Sequence, residues 1–266
     1  MNKCILCDKK DCSFDSEEHI IPESLGNKTY ILRKGVVCDN CNNKLSKLDE
    51  YFVHNNFNSI ERLWIENLKT KKGKFPKQIL TKNNTIEKID EKNVILSTHE
   101  QILDKDLSIP KKKSSDYSLK IIYAPNGMNI DFEMKRDSIN TKMISRFLSK
   151  VAVEYLYYKS ETDFLNSKFN ELKKYLYSEH QNKYVPFLYK KSSDDILSIK
   201  IYNLIQSSNT EIKFNFVEIK LLKSIYYFPL IKIYDLSGLN LLKNKLGGQL
   251  IETDRMIKLD PLLFKF

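Results

Sequence analysis

Beyond residue 41 the chain has no cysteine, and its five cysteines crowd positions 4, 7, 12, 38 and 41 of a 266-residue sequence. That absence excludes a disulfide framework spread through a secreted domain, and it leaves metal binding in a reducing compartment as the reading of the cluster. Export and membrane signals are lacking too. The first residues, Met1 to Cys7, hold no apolar run, and the greasiest later stretch, Ile225 to Tyr234, is short and broken by Pro229 and Lys232. A cytoplasmic protein without a membrane span is therefore expected. Histidine is scarce. Of the four, His54, His99 and His180 sit in no partner pattern and read as a helix position, a loop and a helix end. No internal repeat of solenoid period is present.

What the chain does have is basic charge. There are 44 Lys and Arg against 34 Asp and Glu, a formal net charge of +10, with a pI near 9.1. Such a balance favours polyanionic partners, nucleic acid first among them. It does not establish one, because a sequence crowded with Lys, Asn, Ile and Tyr is basic whether or not it binds anything. The 41% hydrophobic content is enough for one substantial core or two modest domains.

Periodicity sketches an α+β chain. After Cys41, the residues Leu45, Leu48, Phe52, Phe57, Ile60, Trp64 and Leu68 recur mostly at three- and four-residue steps, predicting a helix from Asp39 towards Lys69 with a bend near Asn55 and Asn56. Lys69 to Lys77 is a charged linker with Gly73 and Pro76 as breakers, and it sets the expected boundary between residues 1–72 and 73–266. Short strands around Ile86 and Val94 follow, then a loop at Lys111 to Ser115. Strict alternation over Met128 to Met134 predicts a hairpin with Leu119 to Tyr123, turning at Pro125-Asn126-Gly127. A helix pair follows, Ile139 to Tyr158 and Asp163 to Ser178, the second capped by Ser160. Beyond Pro186 the period changes to two, and an antiparallel sheet with a late turn at Gly247-Gly248 is expected to end the chain. The clusters at Tyr155 to Tyr158 and Tyr226 to Phe228 read as core packing in preference to base-stacking platforms.

The chemistry is concentrated before residue 44. Cys4-Ile5-Leu6-Cys7 and Cys38-Asp39-Asn40-Cys41 are two C-x2-C pairs thirty residues apart, and together they supply the four thiolates of a tetrahedral zinc site. Cys12 is the spare. Zinc holds two remote segments side by side, so Glu18-His19 on a strand is brought towards Asn42 at the first turn of a helix. A neutral imidazole takes a proton from water. A carboxylate and an amide oxygen hold Mg2+, a hard ion that bonds to phosphate oxygen. One proton acceptor and one cation are what metal-assisted phosphodiester hydrolysis needs.

The string Glu18-His19-Ile20-Ile21-Pro22-Glu23-Ser24-Leu25-Gly26, followed by Val37-Cys38-Asp39-Asn40-Cys41-Asn42-Asn43-Lys44, resembles the zinc-bearing HNH endonucleases. The resemblance implies a β-hairpin and helix around one catalytic metal. It makes His19 the general base and Glu18 and Asn42 the ligands of Mg2+ or Mn2+, with zinc on Cys4, Cys7, Cys38 and Cys41. It implies DNA as substrate, cut to a 5′-phosphate and a 3′-hydroxyl. Glu18 stands where many members carry Asp, and the middle motif asparagine has Asn27 as its candidate. The resemblance covers residues 1 to 45 firmly and extends loosely to Leu68. Restriction or anti-phage defence is the setting it implies, with a homodimer or a partner protein of such a system as the assembly. The alternatives are a zinc-ribbon nucleic-acid binder without catalysis, in which Glu18-His19 is incidental, and an adaptor built on the C-terminal sheet.

Overall fold

The structure, a computed structural model, describes residues 2–54, 58–64, 68–70, 72–79, 84–90, 94–98, 117–124, 127–134, 140–159, 170–177, 185–192, 197–206, 212–230, 233–251 and 262–265. Outside them lie several positions singled out above: the bend at Asn55 and Asn56, the loop Lys111 to Ser115, the turn residues Pro125 and Asn126, Ile139, the cap Ser160 with the first residues of its helix, and His99 and His180.

The N-terminal unit is small: β1 (Glu18–His19), β2 (Ile31–Leu32) and α1 (Asp39–His54), then α2 (Asn58–Glu61) and a 3-10 turn over Arg62–Trp64. Of the helix predicted to run from Asp39 towards Lys69, the described parts are α1 up to His54, the helical turn Asn58–Glu61 and the 3-10 turn Arg62–Trp64, and residues 68–70 are not helical. At the expected linker, Thr70 and Lys74 close a turn through Thr70 N–H to the Lys74 carbonyl at 2.7 Å, with Gly73 at φ 72. Only glycine adopts that left-handed conformation without cost.

Then come β3 (Lys77–Ile79), β4 (Asn84–Lys88) and β5 (Val94–Thr98), a three-stranded antiparallel sheet. The predicted hairpin is present as β6 (Tyr117–Ala124) and β7 (Gly127–Met134), paired Ile121 to Ile130. The helix pair is α3 (Thr141–Lys159) and α4 (Asn170–Tyr177). The chain continues with β8 (Phe187–Lys191), β9 (Ser198–Gln206), β10 (Ile212–Leu221), β11 (Ser224–Pro229), α5 (Leu236–Leu246), β12 (Gln249–Ile251) and β13 (Leu262–Lys265), the last pairing with β7. The five-stranded sheet has the order β12-β8-β11-β10-β9. Every strand pairing among the described residues is antiparallel, so the α+β expectation holds.

Helix α5 was not foreseen within that terminal sheet. Its signal is there in retrospect: Asp235 accepts from Ser237 N at 2.9 Å as an N-cap, and Leu239 and Leu242, three residues apart, are buried. The turn at Gly247 and Gly248 does join α5 to β12, with both residues at positive φ.

One core ties the N-terminal unit to α3 and the five-stranded sheet, running from Cys4 to Ile251. Helix α3 packs against both α1 and β11. Phe52 of α1 stacks on Phe147 of α3 with ring centroids 3.9 Å apart, and Tyr226 meets Phe52 edge-on at 5.9 Å. All three rings are fully buried. Each contributes on the order of 1.5–3 kcal/mol by leaving water. Tyr155 is buried as well, its hydroxyl donating to the Ile199 carbonyl at 2.7 Å. Its role, like that of Tyr226 and Phe228, is packing.

Candidate active site and metal centre

Two tight turns bring the cysteine pairs together. In the first knuckle Asp8 N–H donates to the Cys4 carbonyl at 3.0 Å, and Asp8 takes φ 61. In the second, Cys38 immediately precedes α1 and Cys41 lies in its first turn. The Sγ atoms of Cys4, Cys7, Cys38 and Cys41 all lie within 4.8 Å of one another. No disulfide joins them, and the Cys7 and Cys38 sulfurs are 3.8 Å apart. Cys12 stays outside the cluster, its Sγ 3.7 Å from the Lys9 carbonyl.

Four thiols this close compete for ionisation. A hydrogen bond from Cys41 and backbone donors at Cys38, Cys7 and Leu6 lower Cys4 to about 4 despite burial. The Cys4 thiolate then holds the Cys41 proton firmly and pushes that thiol up. Burial raises Cys7 and Cys38. A divalent cation in their midst would remove the conflict, and four sulfurs in a compact group are a donor set that could hold a metal such as zinc.

The second part of the site is built by asparagine and aspartate. Strands β1 and β2 pair Glu18 with Leu32 and His19 with Ile31, and the loop joining them is closed by buried Asn27. Its Nδ2 donates to the carbonyls of Ile21 at 2.6 Å and Tyr30 at 2.9 Å, while its Oδ1 accepts from Thr29 N at 3.1 Å and Tyr30 N at 2.8 Å. Alanine at 27 removes all four of these hydrogen bonds, and only the Tyr30 carbonyl keeps a second donor, the Ile20 N–H at 3.1 Å. Asn27→Ala is therefore expected to cost about 3 kcal/mol, read as a lowered thermal midpoint, and an unchanged midpoint would show that the loop is held by other means. Asp39, at the start of α1, accepts from Asp15 N at 3.1 Å, Ser16 N at 3.0 Å and the Ser16 hydroxyl. Ser13, Ser16 and Asp15 as donors hold its carboxyl well below the usual carboxylate range. Ser16 in turn accepts from Asn42 Nδ2 at 3.2 Å, which also reaches the Glu17 carbonyl at 3.4 Å.

Glu18, His19 and Asn42 consequently line one cavity of about 520 Å³, together with Ser16 and Asp49. Within it His19 Nδ1 is buried and has no hydrogen-bond partner among the described residues. Residues 4–57 match the family model of an HNH endonuclease. The N-terminal unit is an HNH domain. The match supports a nuclease-type function for it. No curated protein and no solved structure matches the chain.

For the HNH domain the donor chemistry at the cavity can be compared with a hard divalent cation. Asn42 engages its Nδ2 with Ser16 and Glu17, which leaves its amide oxygen as the donor for a cation. Glu18 is buried, and its Oε1 lies 2.7 Å from Lys150 Nζ. One carboxylate oxygen is thereby committed to the ammonium. The pair fits an oxygen-ligated ion that keeps most of its waters, as Mg2+ does.

Several residues of this site escaped the sequence reading. Asp49 and His54 line the cavity from α1, and neither stands in a motif. Lys150 and Glu154 are fully buried on α3, facing Glu18 and Asp49. Burial opposes the Lys150 charge, and the carboxylates of Asp49, Glu154 and Glu18 more than offset it, so the ammonium is held charged. Burial pushes Glu154 up, well above the usual carboxylate range. The available signal was a lysine and a glutamate four residues apart inside the apolar run Phe147 to Leu156. A charged pair in a buried stripe needs partners.

Proposed function

We propose that this protein is a metal-dependent endonuclease that hydrolyses phosphodiester bonds of DNA. The observation that carries this reading is the convergence of Glu18, His19 and Asn42 on one cavity beside a four-thiol cluster. Binding alone requires no such triad. In this reading the thiols hold zinc, and Glu18 and Asn42 hold Mg2+ or Mn2+. His19 takes a proton from water as its oxygen attacks phosphorus, and the P–O3′ bond breaks to leave a 5′-phosphate and a 3′-hydroxyl. When bound, the divalent ion supplies electrostatic stabilisation of the phosphate charge and of the departing oxygen. The net charge of +10 suits the polyanionic substrate.

We also propose residues 1–72 as the nuclease part and 73–266 as a separate C-terminal α+β part, acting in the cytoplasm within restriction or anti-phage defence. A homodimer or a partner protein would provide the second cut, since one such centre cuts one strand at a time. Among the described residues no helix is long and apolar enough to cross a membrane.

Supercoiled plasmid tests the reading. Zinc-loaded protein is expected to nick or linearise it with Mg2+ or Mn2+ and to leave it intact with EDTA. Salt-sensitive DNA binding without cutting in any metal would replace the nuclease by a zinc-ribbon binder.

A further inference from the structure

Lys150 lies on α3 with its side chain 1% exposed, and it reaches across the core to the HNH hairpin. An ammonium has three donors and no acceptor. Glu18 Oε1 lies 2.7 Å from it, both Asp49 oxygens 3.0 Å, and the His19 carbonyl 3.2 Å. Glu154 is the odd member, 3.7 Å away and without a hydrogen-bond partner among the described residues. Two of the three strong partners thus belong to the adjacent residues of a two-residue strand, and the third lies on α1.

Stability does not call for this arrangement. Well-packed apolar residues of similar volume commonly stabilise a core as well as a buried ion pair does. An apolar residue at 150 would fill the same space, but it could fix neither the Glu18 carboxylate nor the His19 backbone. Both residues line the cavity.

We infer that Lys150 is a positioning residue of the nuclease site, fixing the Glu18 carboxylate through one oxygen and the His19 strand through its carbonyl. The inference rests on the nuclease reading of that site. It also gives the part beyond residue 73 a definite task, because α3 supplies a group that the HNH domain lacks. Displacing reacting groups by about 1 Å is enough to slow a reaction about a hundredfold.

The test uses two variants of the full, zinc-loaded chain. Lys150→Met keeps an unbranched stem and removes the ammonium. Lys150→Met/Asp49→Asn removes one cation and one anion, so the formal charge of the cluster is unchanged and the variant is better placed to fold. In each variant that keeps wild-type zinc content and a cooperative thermal transition, plasmid nicking at saturating Mn2+ is expected to be about a hundredfold slower, with the loss in kcat and not in KM. The ring-proton NMR signals of His19, identified by their disappearance in His19→Gln, are expected to shift and broaden. Nicking within about threefold of wild type in a folded variant overturns the inference, as do unmoved His19 signals. Failure of both variants to fold makes Lys150 a core-stabilising cation and also overturns it. Should wild-type protein not nick at all, the nuclease reading falls by itself. The His19 signals then decide the positioning role alone: movement sustains it and constancy removes it.

Discussion

His19→Ala is expected to slow metal-dependent plasmid nicking by about 10²- to 10⁴-fold, the range supplied by a positioned general base. The fold should survive the change. His19 is held in place through its backbone, by pairing with Ile31 and by the Lys150 contact to its carbonyl, and alanine keeps both. Its ring contributes no hydrogen bond through Nδ1 to any described residue. The thiol cluster is made by other residues, so zinc content should equal that of the wild type. Loss of cutting with zinc and thermal midpoint retained assigns His19 to proton transfer. Equal cutting by both proteins would remove that assignment and point to contamination or to another centre. Loss of zinc together with activity would make His19 part of the structural site instead.

Removing the zinc ligands is expected to be the most disruptive change to the fold. The N-terminal unit has two-residue strands and one long helix, and its buried set, Ile5, Leu6, Ile20, Ile21, Val36 and Val37, is drawn together by the two knuckles. So small a unit buries too little to stand by itself. Structural zinc typically provides an apparent 10–16 kcal/mol of binding free energy, roughly, at neutral pH. Part of that would be replaced here by packing on α3, where Phe52 meets Phe147. Cys41→Ser is therefore expected to release zinc and to lower the thermal midpoint by about 10 °C or more. Nicking should vanish, because the first turn of α1 carries both Cys41 and Asn42. Cys12→Ser is the control, with its thiol outside the cluster, and should keep zinc, midpoint and activity. Metal analysis with thermal melting checks both variants. A Cys41→Ser protein holding a full equivalent of zinc at an unchanged midpoint would refute the four-cysteine site, and zinc loss in Cys12→Ser would redraw it.

The sequence was most legible where the chemistry is local. Two C-x2-C pairs, Glu18-His19 and Cys41-Asn42 each lie within a few consecutive residues, and ligand spacing or adjacency fixes what they can do. The hairpin of β6 and β7 and the helix α3 were visible through their periods, because alternation and three-to-four spacing reflect which face is apolar. Boundaries were less legible. The apolar spacing that begins after Asp39 continues to Leu68, whereas residues 62–64 form a 3-10 turn and residues 68–70 are not helical. Helix α5 was hidden because it is a short element set between the strands β11 and β12, and its apolar residues read as part of the terminal sheet.

By itself, then, the sequence determined the four cysteines as a metal-capable group, the Glu-His pair and the α+β composition. Each of these depends on neighbours along the chain. Only the tertiary structure decided that one Glu18 oxygen is held by Lys150, that Asp49 and His54 line the cavity, and that Lys150 stands behind His19 from 131 positions away. The reason is physical. A periodic pattern tells a helix which side to bury, but the partner that side meets is chosen by the packing of the whole core, and here that packing carries a lysine of α3 to the hairpin of the HNH domain.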